Sequence, residues 1–140
     1  MNDIWLIAVT AGKWQKHGIL EAMDSGIKVL AIDADQKAEG FSIADKSLCM
    51  SLDNDDAVIK ELKELNLNYK GVVSFCSEVG MLLVARIREE FALPGPESEL
   101  TKKLLDKGEQ RKVWSEKSVP GPEWAIFEDA KSATNYLLSS

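Results

Sequence analysis

An α/β fold on a mostly parallel sheet of four to five strands, with helices covering both faces, follows from three features of these 140 residues. The first is a set of short apolar runs that do not alternate: Ile4-Trp5-Leu6-Ile7-Ala8-Val9, Val29-Leu30-Ala31-Ile32 and Val72-Val73-Ser74-Phe75. A strand with one wet face alternates apolar and polar residues, whereas one buried on both faces reads as a continuous run. The second is that segments of helical spacing fall between these runs, so strand and helix alternate along the chain. The third is size: 45% hydrophobic residues over this length suffice for one ordinary core.

Between the first two strands, Ile19, Ala22 and Met23 recur at helical spacing. Gly26 then stands where a left-handed residue commonly ends a helix. The second strand ends in Asp33. Asp53 or Asn54 can cap a helix whose apolar face is Val58, Leu62 and Leu65, and the next strand starts at Gly71. A helix from about Glu78 to Phe91 follows, with Val79, Leu83, Ile87 and Phe91 at intervals of four facing the sheet. Leu93-Pro94-Gly95-Pro96 breaks it, Ser98 starts a short helix through Leu105, and another runs from Asp106 to about Lys117. Val119-Pro120-Gly121-Pro122 interrupts the chain again, before a strand around Trp124-Ala125-Ile126-Phe127 and a final helix from Asp129 through Leu138. The change of character divides the chain into a sheet domain, residues 1–95, and residues 96–140, a linker and the helical start of a second domain.

Charge and cysteine content narrow the function. Seventeen Lys and Arg against 23 Asp and Glu give a net charge of -6, which disfavours nucleic acid and anionic membranes as partners. Cys49 and Cys76 form no CxxC pair, and with the single histidine, His17, they do not make up four zinc ligands, so no metal site is expected. Both cysteines are expected to be buried reduced thiols. The first residues lack a basic n-region and cleavage site, and no apolar run approaches ~20 residues, so the expectation is a soluble, cytoplasmic protein. The four tryptophans are read as packing residues, with Trp114 and Trp124 facing a neighbour.

In a parallel sheet, ligands bind outside the carboxyl ends of the strands, which singles out Thr10-Ala11-Gly12-Lys13-Trp14. Asp33 ends the second strand where a dinucleotide-binding protein places the acid for a ribose hydroxyl. The loop has no G-x-G-x-x-G, however, and Lys13, Trp14 and Gln15 stand where a backbone would approach a pyrophosphate. An NAD-dependent oxidoreductase fragment is therefore a minor reading. Asp33 can equally solvate the loop, and Lys13 can be an ordinary solvated lysine.

The order of features carries more. Ile19 to Asp33, Ala44-Asp45 and Asp53 to Leu62 are followed by Phe75-Cys76-Ser77-Glu78 and Leu93-Pro94-Gly95-Pro96. Leu105-Asp106-Lys107, Gln110-Arg111 and Val119-Pro120-Gly121-Pro122 complete the succession. It resembles the Rossmann-like N-terminal (pre-ATP-grasp) domain of the ATP-grasp ligases, among them biotin carboxylase, the carbamoyl-phosphate synthetase large chain and the L-amino-acid ligases. Ser118 stands where the family commonly has Gly. The resemblance implies a three-layer sandwich followed by the start of the ATP-grasp domain, and ATP and Mg²⁺ as cofactors of a complete enzyme, with none held tightly by this chain alone. It implies a small carboxylate substrate converted to an acyl phosphate, with no catalytic residue assignable within these residues.

By family position Lys107 reaches the ATP phosphates; by charge pattern it belongs to a solvated cluster with Lys102, Lys103, Arg111 and Lys112. Gly12, Lys13, Asp33 and Glu78 are the candidates for cleft or substrate contacts, with helix capping the alternative role for Glu78. The expected partners are the ATP-grasp lobes of the same chain and, through an exposed apolar patch, a second copy. The alternative function is a free-standing Rossmann-like module that binds a small ligand or regulates.

Overall fold

A computed structural model describes residues 3–139 and divides into two compact units, residues up to Lys102 and residues from Lys103 onward. The first unit holds the sheet. Strands β1 (Trp5–Val9), β2 (Lys28–Asp33), β3 (Lys46–Cys49) and β4 (Tyr69–Val73) pair in the order β3-β2-β1-β4, all parallel. Helices α1 (Lys16–Asp24), α2 (Asp55–Leu65) and α3 (Met81–Glu90) supply the crossovers, and α4 (Ser98–Leu105) follows.

Each strand of the centre is buried on both faces, which explains the unbroken apolar runs. One face sets Trp5, Ile7, Val9, Leu30 and Ile32 against Val58, Leu62, Leu83, Val84 and Ile87 of α2 and α3. The other sets the small residues Ala8 and Ala31, with Val29, against Ile19 of α1 and Ala38. Small side chains there let α1 approach closely. Tyr69 donates its hydroxyl to the Leu62 carbonyl at 3.1 Å, and burial pushes its phenol up to about 12, so it stays a neutral donor.

Several boundaries depart from the sequence reading. Strand β3 was not expected, because Lys46-Ser47-Leu48-Cys49 is a mostly exposed edge with no apolar run to betray it. Strand β4 ends at Val73, so Ser74 and Phe75 lie in a turn instead of the strand. Helix α3 starts at Met81 with Gly80 as its N-cap, leaving Glu78 and Val79 outside and Val79 78% exposed. A Cβ at Gly80 would stand 2.7 Å from Val9 Cγ1, so this helix start butts against the end of β1 where only glycine fits. Asn54, not Asp53, caps α2, accepting from the Ala57 N–H at 3.2 Å. Gly26 has φ +79, as the end of α1 requires. Cys49 and Cys76 are free thiols, but both are exposed: one lies on the sheet edge and the other in the turn after β4. Trp14 is 76% exposed and packs in no core.

The second unit contains α5 (Lys107–Glu116) and α6 (Ala130–Ser139), neither with a buried residue. Asp106 caps α5 by accepting from the Glu109 N–H at 3.0 Å, and Asp129 accepts from the Ser132 N–H at 2.9 Å before α6. The expected strand at Trp124–Phe127 does not form. Among the described residues no neighbouring strand is present to pair with it, and a strand exists only as part of a ladder. Between the helices, Arg111, Trp114, Trp124 and Tyr136 line an open cleft of about 560 Å³. Trp124 Nε1 donates to Ser115 Oγ at 3.2 Å, and the Arg111 guanidinium lies 4.9 Å from the Trp114 ring centre.

Candidate functional site

The chain runs from β1 outward to β2 and β3 on one side, then returns to place β4 on the other side of β1. The strand order therefore reverses between β1 and β4, and the loops leaving the carboxyl ends of these two strands splay apart there. Such a crevice is where parallel α/β sheets bind ligands.

The loop after β1 is held from several directions. Thr10 N–H donates to Ile32 O at 2.8 Å, the Ala11 N–H to Asp33 Oδ2 at 2.7 Å, and the Gly40 N–H to the Ala11 carbonyl at 2.6 Å. Both ends of the Ala11 residue are thus tied to neighbouring segments. This anchoring sustains Thr10 at φ +69, a conformation that a β-branched residue adopts only when its surroundings impose it. Gly12 O then accepts from Gln15 N–H and Lys16 N–H at 3.1 and 3.2 Å, turning the chain into α1.

The second wall is the turn after β4. Thr10 Oγ1 and Ser74 Oγ approach to 3.4 Å, and Ser74 donates to the Ser77 carbonyl at 2.9 Å. Glu78 is exposed on this turn, and its carbonyl accepts from Met81 N–H at 3.1 Å just before α3. Cys76, at φ +54, is a second non-glycine residue in the left-handed region at this end of the sheet.

Gly12, Lys13 and Asp33 therefore come together, with Glu78 on the adjacent strand's loop. Lys107 lies apart in chain terms, exposed at the start of α5 in the second unit. The two oxygens of Asp33 accept from the Ala11 and Asp35 amides, at 2.7 and 2.9 Å, so this acid organises the backbone of both loops. Lys13 and Trp14 are exposed, with the ammonium 5.9 Å from the indole centre. Lys13 is the cation beside the turn into α1, where the Gln15 and Lys16 amides are taken by the Gly12 carbonyl. Sequence reasoning passed over Thr10 and Ser74 as a pair. Their proximity depends on the strand order, which no local pattern encodes.

Among the described residues no three His, Cys, Asp or Glu side chains are grouped to hold a metal ion. The N-terminus of α5 already carries the Asp106 carboxylate, which occupies the place an anion would take. No helix among the described residues is long and apolar enough to cross a membrane.

No protein-family model matches the chain, and no curated protein matches it in sequence. Solved structures do resemble it. Phosphoribosylglycinamide synthetase from Anaerococcus prevotii is 25% identical, over 99% of this chain and 35% of that one, with a TM-score of 0.75. An N5-carboxyaminoimidazole ribonucleotide synthetase, solved as an ADP complex, is 16% identical over 99% of this chain and 36% of that one, with a TM-score of 0.78. The L-amino acid ligase from Bacillus licheniformis is 14% identical over 99% and 42%, with a TM-score of 0.74.

The fold is that of the Rossmann-like N-terminal domain of ATP-grasp enzymes. The particular structures it most usefully compares with are these ligases, and the chain spans about 35–42% of their length.

Proposed function

We propose that this chain is the substrate-side portion of an ATP-dependent ligase that joins a carboxylate to an amine, or works as carbamoyl-phosphate synthetases do, through an acyl phosphate. The observation that carries the reading is the match over 99% of the chain to ATP-grasp ligases, by a fold that accounts for only about a third of such an enzyme. Residues 96–140 are then the linker and opening of the ATP-grasp domain. The portion is catalytically incomplete: ATP and Mg²⁺ belong to lobes outside these residues. When bound there, the metal and cationic side chains would offset charge on the transferring phosphoryl group.

What this chain contributes is the corner at Gly12 and Lys13, where the lysine would meet a carboxylate or phosphate of the substrate. Asp33 fixes that corner from behind, and Glu78 faces the same crevice from the β4 side. Lys107 is the residue proposed to meet the ATP phosphates once the following lobes close around it. Working on soluble metabolites, such an enzyme would be cytoplasmic.

The test couples coding sequence to chemistry. Extending the frame past the Ser140 codon should add about two further domains. The extended protein should release ADP and phosphate only when a carboxylate is supplied, and hydroxylamine should trap the acyl phosphate as a hydroxamate. Phosphate release without carboxylate, or NADH binding by the 140 residues, would overturn the reading.

A further inference from the structure

We propose that Arg88 and the Leu93-Pro94-Gly95-Pro96 turn form a clasp that closes the outer edge of β4 and keeps the sheet from growing onto a second copy of this chain. Strand β4 is the last on its side of the sheet. An edge of this kind recruits other chains unless something covers it. Arg88, in the last turn of α3, reaches back to that strand, and its Nη2 donates to the Val72 carbonyl at 3.3 Å. The turn that follows α3 is unsuited to extend the sheet itself. Pro94 and Pro96 have no N–H to offer, and Gly95 stands at φ +134. It lies on Arg88 instead: a Cβ at Gly95 would stand 2.5 Å from Nε and 2.6 Å from Cζ, so the glycine backbone rests against the guanidinium. Both ends of the turn are tied to α3. Leu93 N–H donates to the Arg88 carbonyl at 2.9 Å, and Ser98 N–H to Glu89 Oε1 at 2.7 Å.

Packing alone does not account for an arginine at this place. Its Nε and Nη1 are buried and have no hydrogen-bond partner, and burial lowers the affinity of the guanidinium for its proton. Such a desolvated cation opposes folding, and an apolar side chain of similar volume would fill the space without that penalty. A charge turned inward at a sheet edge, under a covering loop, is one of the ways natural sheets prevent pairing between molecules. The one donor that Arg88 does place goes to the carbonyl of the edge strand, where a second strand would otherwise donate. The clasp lies within the first unit and is independent of the ligase reading, which its failure would leave standing.

Stability and self-association, measured separately on the 140-residue chain, test this. Arg88→Met keeps the apolar stem and removes the donors and the charge. It should retain the far-UV spectrum and a urea midpoint at or above that of the wild type, yet sediment with a mass that rises towards two copies as concentration increases. Amide hydrogen exchange should then show new protection at residues 70–73. Gly95→Ala leaves Arg88 in the chain but pushes the guanidinium out of its seat, and should produce the same self-association and the same protection. Arg88→Lys keeps a cation at the edge and should sediment as the wild type does. A side chain that matters only for packing predicts the opposite split, a lower midpoint with no change in mass. That result, unfolding of both Arg88→Met and Gly95→Ala, or a wild-type dimer already protected at residues 70–73 would each overturn the proposal.

Discussion

Asp33 ties the loop after β1 to the loop after β2. Its carboxylate accepts from two backbone amides, so Asp33→Ala leaves both without their partner and should cost about 1–3 kcal/mol in urea unfolding. Asp33→Asn keeps one acceptor and should cost less. Asp45, the acid of the Ala44-Asp45 pair picked out in the sequence, works in the same manner at the opposite end of the sheet. Burial opposes its ionisation, but Lys28 at 2.7 Å and the Val29 amide at 2.9 Å outweigh it and hold the carboxyl below its ordinary value. The same hydrogen bond to Asp45 raises Lys28. A depressed acid stabilises the fold above its unfolded value, and that contribution is lost as pH falls through the folded one. Chemical-denaturation midpoints should therefore drop below about pH 4, in the range of an unperturbed Asp, and Asp45→Asn should flatten that drop. The lysine contribution is lost only on the alkaline side, as pH rises through its raised value.

Among elements, capping separates two residues that the sequence left equivalent. Asn54→Ala should cost about 1 kcal/mol and Asp53→Ala less than about 0.5, measured as shifts in the urea midpoint. Elements with a strong apolar signature were legible: β1, β2, α1 and α2 stand where their patterns put them, because burial on a helix face or between two layers writes a periodic trace. Strand β3 left no such trace. Its pairing with β2 comes from tertiary position, with Leu30 opposite Lys46 and Ile32 opposite Leu48. The start of α3 was misjudged because Val79 happens to continue a four-residue spacing, while the close approach of Gly80 to Val9 sets the true boundary. The crevice was legible only as a loop after the first strand. That β4 forms its other wall, with Ser74 beside Thr10, follows from strand order, which depends on long-range pairing.

At the level of the whole molecule, the two units differ in how they bury apolar surface. The sheet unit encloses thirteen residues in one cluster alone, whereas α5 and α6 bury none. Amides of β1 and β2 should exchange only through global unfolding, and those of α5 and α6 should exchange far faster. Iodide or acrylamide should quench Trp14, Trp114 and Trp124 while sparing Trp5, which is 8% exposed; single Trp→Phe variants assign each contribution. A hydrophobic dye should bind the native chain, with binding reduced by Leu137→Ser, since Leu137 is 75% exposed on α6.

The anchoring of Ala11 bears on how such a scaffold could change its ligand over evolutionary time. Its amide and carbonyl are committed to Asp33 and Gly40, so drift at any of these three positions disturbs the other two and is constrained as a set. Lys13 and Trp14, a few residues further on, are exposed to solvent. New specificity can therefore arise by replacing those two side chains, on a backbone whose path the rest of the domain has already fixed.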